Sequence, residues 1–282
     1  MGKINYQGDK TVSRTRMLVE GALMIAVGTV LSILKLVDLP YGGSITLASM
    51  FPIILVAYRH GTSFGLLCGL VYAILQQLLG IKTLSWVTTA ASVVAVILLD
   101  YIIAFTVTGL GGIFRDRFGS QSAELVTGSL LVCLLRYICH VISGCTVWAG
   151  LSIPTSGALV YSLAYNATYM IPETIIVAIV AYYLGRSFDF KSATPRLVAE
   201  KTSVKRYPAL SIIGGLILAA AGIFDVAHIF SKLQDAETGD FDITGISDVN
   251  WILVAAVTGA AVVIAAALFI TRAQLIKKNS AT

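Results

Sequence analysis

The sequence predicts an all-α polytopic membrane protein, a bundle of helices that cross a lipid bilayer. Hydrophobic residues make up 57% of its 282 residues and charged residues only 12%, whereas soluble domains carry roughly 25% charged residues. Apolar stretches close to the ~20 residues that a spanning helix needs recur along the chain. A soluble fold cannot bury so many apolar side chains, because its surface grows nearly as fast as its volume.

Eight apolar segments are candidate spans. They lie at about residues 17–37, 45–57, 62–80, 86–110, 123–150, 157–184, 208–230 and 251–271. The second is short for a crossing, and the helix breaker Pro52 lies near its end. These segments predict a six-span unit over residues 1–186, a cytoplasmic linker over 187–207 and a two-helix C-terminal hairpin over 208–282.

The basic residues predict the orientation of the spans. Lys and Arg precede the first span, follow the fourth and the eighth, and fill the linker after the sixth, whereas the loop before the last span is acidic. By the positive-inside rule, both termini are then cytoplasmic. The net charge of +5 is spread over separate loops, and this argues against a nucleic-acid surface, which needs one basic patch.

Asp100 is the first candidate for a functional group inside the membrane. A charged side chain there costs ~2.5–3.5 kcal/mol on insertion scales, so each such residue is a site hypothesis. Asp100 lies within the fourth span with no charged neighbour in sequence. Its carboxylate either binds a cationic or amine-bearing ligand, or serves as a structural partner of Arg136.

The fifth span carries a second candidate set. At ~100° per residue, His140, Gly144 and Trp148 lie at about 0°, 40° and 80° and form one stripe on a helix. The flat face of Trp148 suits a ligand cation, and Gly144 leaves room for a ring between the larger groups. The alternatives are a buried core histidine and an interfacial tryptophan anchor. The pocket is favoured because His140, Gly144 and Trp148 share one stripe.

The sixth span offers a third set. Tyr161 and Asn166 are ~140° apart on a helix, so they share a pocket only if it is wide or the helix is irregular. Asn166 both donates and accepts, which suits a heteroaromatic edge; alternatively it makes an interhelical hydrogen bond. Glu173 is a further intramembrane charge, which either pairs with Arg136 or lies nearer an interface.

Several kinds of chemistry are excluded by missing motifs. No Gly-x-x-x-x-Gly-Lys-Ser/Thr or His-Glu-x-x-His is present, so this chain is neither a P-loop ATPase nor a metalloprotease of that class. Cys133, Cys139 and Cys145 are six residues apart, which scatters them around a helix. With no nucleophile–base pair visible, we expect no enzyme, no metal and no cofactor.

The segments that carry these residues resemble a known family. They are Arg16 to Ala26, Tyr41 to Ser44, Pro52 with Tyr58 to Gly61, Leu99 to Tyr101, Arg136-Tyr137 with His140, Gly144 and Trp148, and Tyr161 to Asn166. In this order and spacing, over about residues 14–186, they resemble the thiamine-specific substrate-binding subunit (S component) of energy-coupling factor transporters.

This resemblance implies a binding protein and not a catalyst. It implies a six-helix unit in the plasma membrane of a prokaryote, with a high-affinity pocket for thiamine or a closely related vitamin. It implies a partner transmembrane subunit, met through Ala22 and Ala26 of the first helix, and two cytoplasmic ATPases. The implied pocket residues are Tyr72, Asp100, Tyr101, His140, Gly144, Trp148, Tyr161 and Asn166.

The chain departs from the family pattern at three pocket positions. Members carry Glu where this chain has Asp100, and Trp where it has Gly43 and near Tyr72. The remaining residues still suit thiamine, because its thiazolium cation and aminopyrimidine edge call for a carboxylate, an aromatic face and hydrogen-bonding groups.

A second hypothesis is a self-sufficient proton-coupled secondary transporter of a small cationic or heteroaromatic solute. Asp100, Glu173 and His140 would then form a proton relay. Folds of that kind often contain internal repeats, and no clear repeat is visible in this sequence.

Overall fold

The computed structural model describes residues 13–39, 42–149, 151, 157–198, 207–233 and 243–280. The chain divides into two compact units, the first ending at Val198 and the second comprising the rest. Within the described residues, 7 helices are long and apolar enough to cross a membrane. The predicted all-α membrane bundle is thus confirmed.

The first unit is built from six helical segments along the chain. They are α1 (Arg14–Ile33), α2 (Phe51–His60), α3 (Thr62–Leu79), the joined α4 (Ala90–Val96) and α5 (Ala104–Thr106), α6 (Gln121–Thr146) and α7 (Ala158–Ser187). A π-helical segment, Ile97–Ile103, links α4 to α5, and a 3₁₀ segment, Val107–Gly112, continues them. Another 3₁₀ segment, Ile81–Trp86, follows α3.

Local residues explain where these helices begin and turn. The Ser13 hydroxyl accepts from the Arg16 amide at 3.2 Å and caps α1, and Thr89 caps α4 by accepting from the Ser92 amide at 3.1 Å. Between α2 and α3, Gly61 has φ +94°, a backbone conformation that glycine adopts without a steric penalty. The chain can therefore reverse there within one residue.

The second predicted span is not a helix of spanning length. α2 has 10 residues, all of them buried, and its ~15 Å length is about half of the hydrocarbon core. The chain nevertheless recrosses the bundle here. α3 runs parallel to α1, as the bond from Gln76 to Ser32 near their ends shows (2.9 Å), while α2 ends beside the start of α1, where Arg59 pairs with Glu20 at 2.8 Å.

A hairpin supplies the remainder of that crossing. β1 (Lys35–Asp38) pairs antiparallel with β2 (Ser44–Thr46), with a register shift between Lys35 and Val37. The Thr46 hydroxyl donates to the Glu173 carboxylate at 2.7 Å, and Glu173 lies near the middle of α7. β2 therefore reaches deep into the bundle, and the second crossing is part hairpin and part helix.

Glycines allow the 3₁₀ segment after α5 to contact the backbones of both α3 and α6. A Cβ placed on Gly109 would lie 2.3 Å from the backbone of Gly65, and one on Gly128 would lie 2.0 Å from the Gly111 carbonyl oxygen. Small residues permit this close approach between membrane helices. The 3₁₀ segment after α5 therefore packs closely between α3 and α6.

The beginning of the predicted linker is fixed to the first unit. β3 (Phe188–Asp189) pairs antiparallel with β4 (Arg196–Leu197). The Gln121 amide donates to the carbonyls of Gly185 and Phe188 at 2.8 and 2.6 Å. Arg59 donates to the carbonyls of Phe190, Ser192 and Ala193. These bonds attach the chain after α7, as far as Ala193, to the helices of the first unit.

The second unit contains two long helices. α8 (Pro208–Lys232) and α9 (Trp251–Ser280) are separated by a 3₁₀ segment, Ile243–Asp248, and by residues outside the described part of the chain. The helices pack antiparallel: the Thr258 hydroxyl donates to the Asp225 carboxylate, and a Cβ on Gly214 would lie 2.8 Å from the Phe269 ring.

Candidate ligand-binding site

Asp100 lies at the centre of a polar cluster inside the first unit. Oδ1 contacts Nδ1 of His140 at 3.0 Å, and Oδ2 accepts from the Ser143 hydroxyl at 2.7 Å and from the Trp148 indole at 3.2 Å. We call these four residues the Asp100 cluster. The carboxylate side chain is 15% exposed, so its negative charge is largely withdrawn from solvent while uncharged hydroxyl and indole groups stabilise it.

The π-helical segment directs Asp100 toward α6. This segment, Ile97–Ile103, interrupts the α-helical geometry of the fourth span. A π-helical turn holds an extra residue, and such turns occur often at functional sites. Periodicity alone does not reveal where the wider turn begins, so the contacts of Asp100 with Ser143 and Trp148 could not be predicted from the sequence.

The predicted stripe of three residues is only partly helical. His140 and the buried Gly144 belong to α6, which ends at Thr146, so Trp148 lies beyond the helix. The amides of Val147 and Trp148 both donate to the Ser143 carbonyl, at 2.7 and 3.3 Å. This turn carries the indole back to Asp100, and Trp148 joins the cluster by a tight turn rather than by helical spacing.

One ring nitrogen of His140 lacks a partner within the described part of the chain. A carboxylate accepts and does not donate, so its Nδ1 carries the hydrogen bonded to Asp100. Nε2 is buried and has no hydrogen-bond partner among the residues that the structure describes. In the neutral imidazole, Nε2 is then an acceptor, and its burial without a partner makes it the atom of the cluster most in need of a ligand donor.

Asn166 is occupied by partners within the protein. Its amide nitrogen donates to the Ser162 and His140 carbonyls at 2.8 and 3.3 Å, and its oxygen accepts from the Tyr169 hydroxyl at 2.5 Å. The Ser162 hydroxyl donates in turn to the Val141 carbonyl at 2.9 Å. Asn166 therefore joins α7 to α6 and fixes the backbone of His140, which matches the interhelical alternative.

Two tyrosines of α7 lie against Gly43 of the hairpin loop. A Cβ on Gly43 would be 2.9 Å from the Tyr169 ring and 3.1 Å from the Tyr165 hydroxyl. The ring centroids of Tyr165 and Tyr169 are 5.9 Å apart, and that of Tyr169 is 6.1 Å from His140. The space that a larger residue at 43 would need is thus filled by tyrosine rings, which replace part of the missing aromatic surface.

Tyr101 and Tyr72 both contact the ring of Phe105. The Tyr101 ring stacks on Phe105 with centroids 6.3 Å apart, and Tyr72 meets Phe105 edge-on at 5.5 Å. The Tyr101 hydroxyl bonds to Thr83 at 2.9 Å and to the Gly80 carbonyl at 3.2 Å. These two tyrosines hold α3 and the loop after it. Tyr161, the remaining predicted pocket residue, is buried near the start of α7.

Arg136 and Glu173 form a separate buried layer. The guanidinium carbon of Arg136 lies 4.3 Å from the centroid of the Phe105 ring, and Nη1 is 2.6 Å from the Met50 sulfur. Glu173 is 3% exposed and accepts from Thr46. Among the described residues, Arg136 forms no ion pair with Asp100 or Glu173. The contacts of Arg136 are instead with Phe105 and Met50, and Glu173 is buried in the core beside Thr46.

Several site residues were missed by the sequence analysis. Ser143 follows His140 by three residues, and Tyr169 follows Asn166 by three, which places each beside its partner on a helix face. That spacing was a usable signal. Phe105, in contrast, is one of many apolar residues in its span, and nothing in the sequence distinguishes it.

Comparisons with known proteins agree on the first unit. The family model described as "Thiamine transporter protein (Thia_YuaJ)" matches residues 18–191. The "Thiamine transporter ThiT" of Bacillus subtilis (strain 168) is 35% identical over 174 residues, which cover 58% of this chain and 86% of that protein. The matched residues contain the whole Asp100 cluster and stop before α8.

A solved structure supports the fold. The structure titled "Native-SAD phasing for ThiT from Listeria monocytogenes serovar" superposes with a TM-score of 0.50 at 23% identity, covering 61% of this chain and 94% of that chain. At this identity the likeness concerns the fold alone. The family match and the B. subtilis relative carry the assignment: the chain belongs to the thiamine transporter family, whose members are substrate-binding S components of energy-coupling factor transporters and not enzymes.

Proposed function

We propose that the Asp100 cluster is the thiamine site of this chain, and that the chain binds thiamine without altering it. The observation that carries the proposal is a carboxylate inside the membrane unit that no described Arg or Lys neutralises. Its protein partners are an imidazole, a hydroxyl and an indole. A buried negative charge is costly unless a cation balances it, and the thiazolium of thiamine is such a cation.

Each group of the cluster has a distinct task in this proposal. Asp100 balances the thiazolium charge, and the face of Trp148 stacks on the cationic ring. The exocyclic amine of the pyrimidine donates to His140 Nε2, the acceptor that lacks a partner. Ser143 and Asn166 act as positioning residues, because their hydrogen bonds hold the carboxylate and the His140 backbone.

Uptake requires further subunits in this proposal. Ala22 and Ala26 are exposed on α1, whereas Gly21 and Gly28 of the same helix are buried. A face with small residues at i and i+4 lets a partner helix approach closely. An energy-coupling transmembrane subunit would dock there, with two cytoplasmic ATPases supplying the energy.

The proposed location is the plasma membrane of a bacterium, with both termini in the cytoplasm. Basic residues from distant parts of the first unit meet at one end of it. Arg16 bonds to Thr194 at 3.0 Å, Arg59 pairs with Glu20, and Lys191 bonds to Asp116 at 2.6 Å. The positive-inside rule assigns this end to the cytoplasm. A reporter fused after Thr282 that is labelled from outside the cell would contradict it.

The direct test of the site is calorimetric titration of the purified protein. Thiamine should bind saturably. 4-Amino-5-hydroxymethyl-2-methylpyrimidine lacks the cationic ring and therefore cannot interact with the Asp100 charge or stack as a cation on Trp148. It should bind at least tenfold more weakly, which corresponds to a loss of ~1.4 kcal/mol or more. Oxythiamine keeps the charge but replaces the amine with a carbonyl, and it should also lose affinity because it offers no amine to His140. Equal binding of all three compounds would contradict the proposed site.

The source of energy separates this proposal from the secondary-transporter hypothesis. Uptake into cells should require the coupling subunit and its ATPases. Uptake by the isolated chain in proteoliposomes, driven by a proton gradient alone, would favour the relay hypothesis instead.

A further inference from the structure

A groove lies on the outer side of the α6–α7 pair, away from the Asp100 cluster. Its volume is about 350 Å³. The residues of α7 that face the site, such as Asn166, Tyr169 and Glu173, are buried, whereas the groove is lined by the opposite side of the helix. Its lining includes Val126, Leu130, Thr174, Ala178, Tyr182 and Tyr183.

The groove presents an apolar surface over its whole length. Thr174 is the only lining residue with an aliphatic hydroxyl, and this hydroxyl donates to the Met170 carbonyl of its own helix at 2.6 Å. From Thr174 to Tyr183 the helix rises ~13 Å. The volume lies within the range of small-molecule sites, ~300–1,000 Å³, and the elongated apolar shape fits a stretch of acyl chain.

A cationic group stands at one end of the groove. Arg186 is exposed and donates from Nη1 to the Tyr182 hydroxyl at 3.0 Å. Its guanidinium carbon lies 5.8 Å from the Tyr182 ring centroid. These contacts hold the guanidinium one turn beyond the groove, at the end of α7 where aromatic and basic residues mark a membrane interface. Its fork of donors matches phosphate oxygens.

The geometry points to a binding site for an anionic phospholipid, with one acyl chain in the groove and the headgroup phosphate on Arg186. Charge complementarity favours this occupant. A net negative headgroup is attracted by the arginine, whereas the ammonium of a zwitterionic headgroup offsets its phosphate. In the proposed orientation, the basic end of the unit lies at the cytoplasmic leaflet, whose anionic lipids attract Lys and Arg. This site is independent of thiamine binding.

The test measures which phospholipid the protein retains. Wild type and variants are reconstituted in vesicles with equal phosphatidylglycerol and phosphatidylcholine, re-extracted in mild detergent and weighed by native mass spectrometry. Wild type should retain phosphatidylglycerol preferentially. Arg186→Gln should lower that preference about fivefold, the factor that one basic residue contributes near an anionic surface. Ala178→Trp should lower retention of either lipid, because the larger side chain fills the groove.

Matched controls keep the result specific. Arg117→Gln removes another exposed arginine at the same end, and Leu67→Trp enlarges an exposed residue of α3, away from the groove; both should behave as wild type. Thiamine binding checks the fold of each variant, with Ala178→Phe as the milder replacement if Ala178→Trp fails to fold. Unchanged retention in Arg186→Gln or in the folded groove variant would overturn the proposal. Loss of the coupling subunit without loss of lipid would make the groove a protein interface instead and would also overturn it.

Discussion

The Asp100 carboxylate and the Trp148 indole are joined by a hydrogen bond of 3.2 Å. The proposed charge-balancing group and the proposed stacking surface therefore form one unit, although they lie 48 positions apart in the chain. The indole N–H fixes the plane of the ring, and a ring held in place stacks on a ligand without an ordering cost. Both residues thus define the direction from which a cation approaches.

Replacing Asp100 with Asn should weaken thiamine binding and also change what His140 recognises. The variant removes the charge, and losing a hydrogen bond to a charged group costs ~1.5–3 kcal/mol, or about ten- to a hundredfold in affinity. Asn also brings an NH₂ group. Turned toward His140, it would make Nδ1 an acceptor and move the ring hydrogen to Nε2. Calorimetry should then show a smaller preference for thiamine over oxythiamine, whose carbonyl accepts from that nitrogen.

Ser143→Ala is the matched control for that variant. It removes one donor to Asp100 Oδ2 but keeps the charge and the tautomer, so the loss should be near ~1 kcal/mol and the preference for thiamine over oxythiamine should persist. If Asp100→Asn reduced the binding of both compounds equally, the proposed role of His140 would be wrong.

Trp148 should be tested by two replacements that separate its ring from its N–H group. Trp148→Ala removes both and should weaken thiamine binding by ~1–2 kcal/mol or more, because stacking and cation–π contact are lost in a desolvated site. Trp148→Phe keeps an aromatic face and should bind with intermediate affinity. Titrations with thiamine and with the neutral pyrimidine measure the effect, which should be larger for the cation. Equal losses for the two ligands would show that Trp148 contributes only apolar contact.

The sequence predicts the bundle and the chemistry of the site better than its geometry. Apolar segments of sufficient length predict spans because the bilayer sets the minimum length of a spanning helix. The crossing through β2 and α2 does not fit this rule, because only part of it is helical. Spacing places His140 and Gly144 correctly, since both lie within α6. Helical spacing does not place Trp148, because this residue lies in the turn after α6. It also does not predict the contact between Arg136 and Phe105, which arises from packing between spans that are distant in sequence.

Enlarging α1 at its exposed small residues should separate binding from transport. Ala22→Leu or Ala26→Leu adds bulk on a face exposed in the first unit, so a coupling helix could no longer approach closely. Vitamin uptake by cells should fall, while thiamine affinity of the purified chain should stay unchanged. Val27→Leu, which is exposed on the same helix but ~100–140° around it from Ala26 and Ala22, is the control. A joint loss of binding and uptake would contradict the interface assignment.

The first unit should bind thiamine without the C-terminal hairpin. The family match ends at residue 191. All residues of the proposed site precede Val198, including the Asp100 cluster, Asn166 and Gly43 in the loop between β1 and β2. A chain that ends at Val198 should therefore show the thiamine affinity of the full chain by calorimetry. The same truncated chain with Asp100→Asn provides the negative control. A monodisperse truncated protein that no longer bound thiamine would assign α8 and α9 a part in the site.

Lys191 stabilises the basic end of the first unit through a carboxylate that has no contact with solvent. Its ammonium lies 3.0 Å from Glu124, whose side chain is 0% exposed, and 2.6 Å from Asp116. The Tyr58 hydroxyl and the Phe118 amide also donate to Glu124. Lys191→Met would leave the buried carboxylate without its cation, which should cost about 1–3 kcal/mol. Lys191→Arg, which keeps the charge, should cost less.

The stability that Lys191→Met loses should depend on pH. The hydrogen bond from Lys191 holds the pKa of Asp116 below its ordinary value. Burial acts to lower the pKa of Lys191, but hydrogen bonds to Asp116 and Glu124 raise it overall. A carboxyl with a lowered pKa stabilises the fold above its ordinary value of about 4, and a lysine with a raised pKa does so below about 10. The gap in thermal unfolding temperature between wild type and Lys191→Met should therefore be constant between these values. It should shrink as pH falls through the lowered pKa of Asp116 or rises through the raised pKa of Lys191. A gap that vanished near neutral pH would mean that Lys191 is not the cation that stabilises Glu124.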